Sequence, residues 1–301
     1  MEAFAPGLYP RSEALVQATR DLDRGRTTPE AVDEQTDRDL AQLVAAQQAA
    51  GFDLVADGML RWQDIFRPFI EGSEGLETGA LTRFLDTNSF YRAPSATTAE
   101  PKLRAPLDVR YIAPLPGPRL VTLPSPFALA HGTDVTPKAM AEGVLKPQLD
   151  AIDAELVVLE EPYLAREDSP DLGAVEEALE ALAGGPRLAL WLTFGNAQRA
   201  LEQGVADLPV YAIGIDFYAT PATGVPEGLG KVLLAGVLDA RSSVIEEPRE
   251  IAVFVETLRR RGIAEIALVP NGDLQYVSEP VAREKLGRLG KAKTATTEAA
   301  A

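Results

Sequence analysis

At 301 residues and 32.2 kDa the chain is long enough to bury a large core, and its 46% apolar and 25% charged content is that of a globular protein. It has no cysteine, which excludes disulfides, thiolate metal ligands and a cysteine nucleophile. The 29 basic and 45 acidic residues give a net charge of −16 and an isoelectric point near 4.6, a field that repels nucleic acid and anionic membranes. The opening MEAFAPGLYPRSEA has no basic stretch leading into an apolar core, and no apolar run reaches membrane-spanning length, so a cytoplasmic location is expected.

In chain order, Ala3–Ala5 reads as a short strand that turns at Pro6-Gly7. A helix carrying Leu15 and Leu22 follows, with Arg11 at its entry. Thr28-Pro29-Glu30 is a helix start, with a hydroxyl cap and proline in the first turn, and the helix runs to about Ala50 before Gly51 stops it. Residues 52–56 form the next strand, ending at Asp57-Gly58. From Arg61 to Pro106 the pattern loosens into an excursion of the kind that carries lids and binding loops, with a hairpin expected in LTRFLDTNSFYRAP (residues 81–94). Val109–Ala113 reads as a strand on that excursion, and Arg119–Leu123 as one of the main sheet, ended by Pro124-Ser125-Pro126.

Regular alternation follows: helix 136–150, strand 155–159, helix 171–183, strand 187–192, helix 196–204, strand 210–215, strand 231–238, helix 248–261, strand 265–269 and helix 278–289. Eight strands alternating with helices over this length fit an α/β fold of the (β/α)8 TIM barrel class, with the 61–106 excursion after strand two near the barrel mouth. The expected organisation is a single barrel over 1–290 and a disordered tail over 291–301. No Gly-x-Gly-x-x-Gly follows the first strand, which argues against a dinucleotide fold.

In LVVLEEPY (156–163) an apolar strand stops at Glu160 and Glu161, and because side chains alternate, one carboxylate faces the barrel interior and the other the surrounding layer. The carboxyl ends of barrel strands converge on one pocket. That places Arg11, Asp57 with Arg61, Ser125, Glu160, Thr193, Asp216, Asp239 with Arg241, and Asn271 with Asp273 around a single mouth, suited to a small zwitterionic or anionic ligand. For each of these the alternative is a helix cap or a surface charge. His131, the only histidine, follows a proline-rich turn and reads as structural.

These stretches, in order, resemble the cobalamin-independent methionine synthase family. GLYPR (7–11) resembles its Gly-Ser-Phe/Tyr-Pro-Arg opening, the segment 52–64 its Asp-Gly-Glu stretch, and LVVLEEP its strand ending in Asp-Glu-Pro. LWLTFG, DLPVYAIGIDF and KVLLAGVLDAR are similar to stretches of the family's N-terminal barrel, and VPNGDLQYVSEPVAREKL resembles its closing segment. The resemblance implies methyl transfer from a folate or another donor to the thiol of homocysteine, with zinc held by His, Cys, Glu and Cys. The chain departs from that ligand set. The His-x-Cys pair falls on Leu190–Leu192, the last cysteine on Gly272, and only the glutamate keeps a carboxylate, as Asp216. No metal ligand set is therefore assigned, while the amino-acid-binding carboxylate survives as Glu160.

The expected function is methyl transfer to homocysteine or a related thiol in methionine biosynthesis without the usual zinc site. Glu160, Asp216 and Asp57 are the expected catalytic residues, and Arg11, Arg61, Glu160, Thr193, Asn271 and Asp273 the expected substrate-binding residues. Two alternatives stand beside it: a non-catalytic barrel that pairs with a separate zinc-bearing barrel, and a metal-free enzyme such as a decarboxylase. The expected ligand is an amino acid, with a folate as a further candidate.

Overall fold

The computed structural model describes residues 1–300, with side chains to residue 297. Seven parallel strands form one curled sheet: β1 (Glu2–Ala3), β4 (Leu120–Pro124), β5 (Leu156–Glu161), β6 (Arg187–Leu192), β7 (Ala212–Asp216), β8 (Val232–Leu238) and β9 (Ile266–Pro270). They run in the order β1-β9-β8-β7-β6-β5-β4. The eighth position is filled by residues 53–56, which make one parallel bridge to the β4 side, Val55 to Arg119. On the other side the Asp53 N–H donates to Ala3 O at 3.1 Å, so the ring closes as a (β/α)8 barrel.

The eighth position makes so few ladder bonds because side chains replace them. Gln47, in the helix Pro29–Ala49, accepts from the Ala56 N–H at 3.0 Å and donates to Ala56 O at 2.8 Å. Asp53 likewise accepts from the Ala3 N–H at 2.8 Å. Buried backbone groups need partners, and here a side-chain amide stands in for a strand.

Alternation sorts the core into two bodies. Phe4, Leu54, Leu120, Leu156, Val158, Ala189, Trp191, Leu234 and Val269 belong to a cluster that fills the lumen. Their neighbours, such as Val157, Leu159, Leu190, Ile213, Ile215 and Leu268, pack in the larger cluster under the helices. Trp191 is the largest side chain in the lumen and has room because Gly214 faces it: a β-carbon there would lie 3.1 Å from Trp191 Cγ and closer still to Cδ1.

The expected helix over 136–150 is present, but its middle, Ala141–Leu145, is a π-helical turn between Pro137–Met140 and Lys146–Leu149. Pro147 cannot donate a helical bond, and the Lys146 N–H reaches back to Ala141 O. Between β7 and β8 only a 3-10 turn, Ala222–Gly224, takes the place of a helix.

Two expectations are corrected. Val109–Ala113 is not a strand: Asp108 gathers the N–H groups of Arg110, through its side chain, and of Tyr111 and Ile112, through its carbonyl, into a turn. The tail read as disordered from 291 continues the last helix, Glu279–Ala300, with Ala292 and Thr296 buried. Alternating small residues there give it an apolar side to pack, which composition alone does not reveal. The expected hairpin is formed by β2 (Leu76–Arg83) and β3 (Phe90–Ala96), paired antiparallel.

Candidate active site at the barrel mouth

The lumen alternation decides which strand-end residues face the mouth. On β5, Leu156 and Val158 face inward, so Glu160 does as well, while Glu161 points to the outer layer. The same period turns Thr193, Asp216 and Asn271 inward, following Trp191, Ala212 and Val269. All four are buried, as is Asp273.

Glu160 is the unusual member. Its Oε1 lies 3.5 Å from the Thr193 hydroxyl, and its fully buried Oε2 has no hydrogen-bond partner among the described residues. Burial, then the nearby Asp273 and Glu161 carboxylates, push its pKa well above the ordinary carboxylate range. Asp273 is raised for the same first reason, burial, although it accepts from the Leu8 N–H at 2.7 Å and from Gln275 at 3.3 Å. Among the described residues no Lys or Arg hydrogen-bonds either group. The Trp191 indole N–H is also buried without a partner among the described residues.

Asp216 and Asn271 form a pair: Asn271 Nδ2 donates to Asp216 Oδ1 at 3.0 Å, and Asn271 Oδ1 accepts from the Ala240 N–H at 2.8 Å. The N–H groups of Tyr218 and Ala219 also reach Asp216 Oδ1, while burial raises its pKa. Gly236 makes the approach of Asn271 feasible, since a β-carbon there would lie 2.8 Å from Asn271 Cα.

Asp57, Arg11 and Arg61, also expected at the site, have partners elsewhere. Asp57 follows Ala56 and so points away from the lumen; its oxygens accept from the N–H groups of Met59 at 2.9 Å and Ala113 at 3.0 Å. Arg11 donates to Leu60 O at 2.9 Å and Trp62 O at 2.8 Å. Arg61 pairs with Asp33 and Asp37 on the outer face of the Pro29–Ala49 helix. Glu161 ties the rim together, accepting from the Ser125 hydroxyl and from the N–H groups of Tyr163 at 2.8 Å and Leu164 at 3.0 Å. Its burial still pushes it up to about 7.

The β2–β3 hairpin covers this mouth. Phe84, 5% exposed, meets Phe194 edge-on at 5.5 Å and Tyr91 at 5.4 Å, and Phe194 in turn meets Tyr276 at 5.6 Å. At the hairpin turn, Asp86 is held by Arg166 at 2.9 Å and Arg241 at 3.3 Å. Phe84, Asp86, Arg166 and Trp191 carry no site signal in the sequence beyond an acidic residue at the tip of the expected hairpin.

No protein-family model matches the chain. In sequence it is similar to the 5-methyltetrahydropteroyltriglutamate–homocysteine methyltransferase of Mycobacterium tuberculosis, 30% identical over 210 residues, which are 62% of this chain and 27% of that protein. The corresponding Mycobacterium leprae protein is 27% identical over 201 residues, 60% of this chain and 26% of its own length. The chain thus resembles methionine synthases in part of its sequence and in its barrel fold. It spans about a quarter of the length of these relatives. In fold it is similar to a B12-independent methionine synthase from Shewanella, with a TM-score of 0.75, 17% identity and coverage of 91% of this chain and 92% of that one.

The zinc that the resemblance implies does not fit the donors present. Leu190, Trp191 and Leu192 stand where His-x-Cys is expected, and the Phe194 ring lies against Gly272. His131 stacks on Tyr163 at 3.8 Å on the surface, with Nδ1 3.7 Å from Glu167. Among the described residues no three His, Asp or Glu side chains gather as a metal site. Nor is any helix among them long and apolar enough to cross a membrane.

Proposed function

We propose that the barrel binds an α-amino acid at its mouth and acts in methyl transfer to homocysteine or a related thiol. The observation that carries this is Glu160: a fully buried carboxylate with one oxygen unpartnered, at the carboxyl end of a barrel strand, in a chain related to methyltransferases. An entering ammonium donates to Oε2 and supplies the positive charge the floor lacks. Burial raises the Glu160 pKa and an ammonium beside it lowers it again, so ligand binding is linked to proton release. Thr193 steadies Oε1.

In the transfer, the acceptor sulfur forms a bond to the methyl carbon as that carbon leaves its donor atom, and the thiol proton must go to a base. Asp216 is the candidate: Oδ1 is taken by Asn271, Tyr218 and Ala219, leaving Oδ2 without a protein hydrogen bond among the described residues. If the donor is a methyl-folate, its nitrogen takes up a proton as the methyl departs.

The test is calorimetric titration with L-homocysteine, with zinc and again with a chelator, in two buffers of different ionisation enthalpy. Expected are zinc-independent binding, proton release and loss of binding in Glu160→Gln. Absence of binding in all conditions overturns the reading. A second reading is favoured by the mouth's lack of imidazole and thiolate donors: a barrel that binds ligand and pairs with a separate zinc-bearing barrel. It expects turnover only when the two are mixed.

A further inference from the structure

Two rim arginines differ from the others. Arg11 and Arg61 are committed to backbone carbonyls and to the Pro29–Ala49 helix. Arg166, in the loop after β5, and Arg241, in the loop after β8, instead reach across the rim and meet on one carboxylate. Arg166 Nη2 lies 2.9 Å from Asp86 Oδ1, and Arg241 Nη1 lies 3.3 and 3.4 Å from its two oxygens. Asp86 belongs to the hairpin turn, not to the barrel, and the contacts span 80 and 155 residues of sequence. Its side chain is 58% exposed, and those of the arginines 34% and 38%.

The mouth beneath is one-sided in charge. Glu160 and Asp273 are buried without a cation, so a ligand that fits them brings an ammonium. An α-amino acid also brings a carboxylate close to that ammonium, and it needs donors of its own. Two guanidinium groups already arranged around a carboxylate are donors of the required kind. Exposed ion pairs contribute little to stability, so the aspartate holding them is readily exchanged.

We propose that Arg166 and Arg241 are the carboxylate subsite of the mouth, and that Asp86 is its resident occupant, displaced when an amino-acid ligand enters. The inference rests on the amino-acid reading above. The hairpin tip and the ligand carboxylate then compete for one pair of cations, and the closed hairpin lowers the apparent affinity.

Calorimetry with L-methionine and with L-methioninamide, which keeps the ammonium and side chain but lacks the carboxylate, tests this. Asp86→Asn is expected to bind L-methionine about 3- to 10-fold tighter, with the amide changed less than about twofold. The Arg166→Gln/Arg241→Gln variant is expected to lose about 10-fold or more on L-methionine and little on the amide. The subsite is overturned if Asp86→Asn binds L-methionine no tighter than the unaltered protein, or if the double variant binds it equally well. Should the double variant be without effect while Glu160→Gln abolishes binding, the subsite falls and the amino-acid reading stands. If neither the unaltered protein nor Asp86→Asn binds either compound, both fall.

Discussion

Trp191 on β6 lies across Gly214 on β7, its register neighbour, and fills lumen space that a β-carbon at 214 would occupy. The pair fixes the floor of the mouth. On the far side the same indole approaches Gly7, where a β-carbon would come within 3.1 Å of Cζ3. Gly7 has φ +85°, a conformation L side chains rarely adopt.

Gly214→Ala should therefore destabilise the protein by about 1–3 kcal/mol through overpacking. Adding Trp191→Leu, which vacates the ring, should make the double variant less unstable than the sum of the two single changes. Urea denaturation followed by circular dichroism measures all three; strict additivity would falsify the contact.

The buried carboxylates give stability a definite pH slope. Burial raises Glu160, Asp216 and Asp273, and holds Glu161 at about 7 against an ordinary 4.5. Between those values the folded state binds more protons than the unfolded chain, so stability falls as pH rises from about 5 to about 7. For Asp86, partial burial acts upward, but the Arg166 hydrogen bond and the two guanidinium charges outweigh it and lower its pKa. Its contribution is lost only at pH below the ordinary 3.8, outside this window. Melting temperatures should rise on going from pH 8 to pH 5. Glu160→Gln, which removes one of the raised carboxyls, should flatten that rise.

Lys285 is wholly buried, with Nζ 2.8 Å from both oxygens of Glu246 and 2.6 Å from Val244 O. It anchors the last helix to the loop after β8. Lys285→Met leaves the Glu246 carboxylate without its buried cation and should cost about 3–5 kcal/mol in guanidinium denaturation. A loss below 1 kcal/mol would mean that Glu246 finds water on relaxing.

Gln47 is the side chain that completes barrel closure at Ala56. Gln47→Met preserves volume but orphans a backbone N–H and a carbonyl, and should cost about 2–3 kcal/mol. Hydrogen exchange should show the Ala56 amide losing protection before those of β5 and β6.

The order of strands and helices was readable from the chain because parallel strands buried on both faces are written as short apolar runs between helices. The period of two also foretold that Glu160 and Glu161 would point to opposite sides. The structure supplied what depends on distant partners. Asp57 looked like a mouth carboxylate but turns outward to Met59 and Ala113, and Arg61 found Asp33 and Asp37 on a helix. Glu160 lacks a partner on one oxygen, and Asp86 meets arginines 80 and 155 residues away. Local sequence sets the direction of a side chain through backbone geometry. Whether a charge is neutralised, roofed over or left open is set by contacts between segments far apart in the chain, and only the folded barrel brings those together.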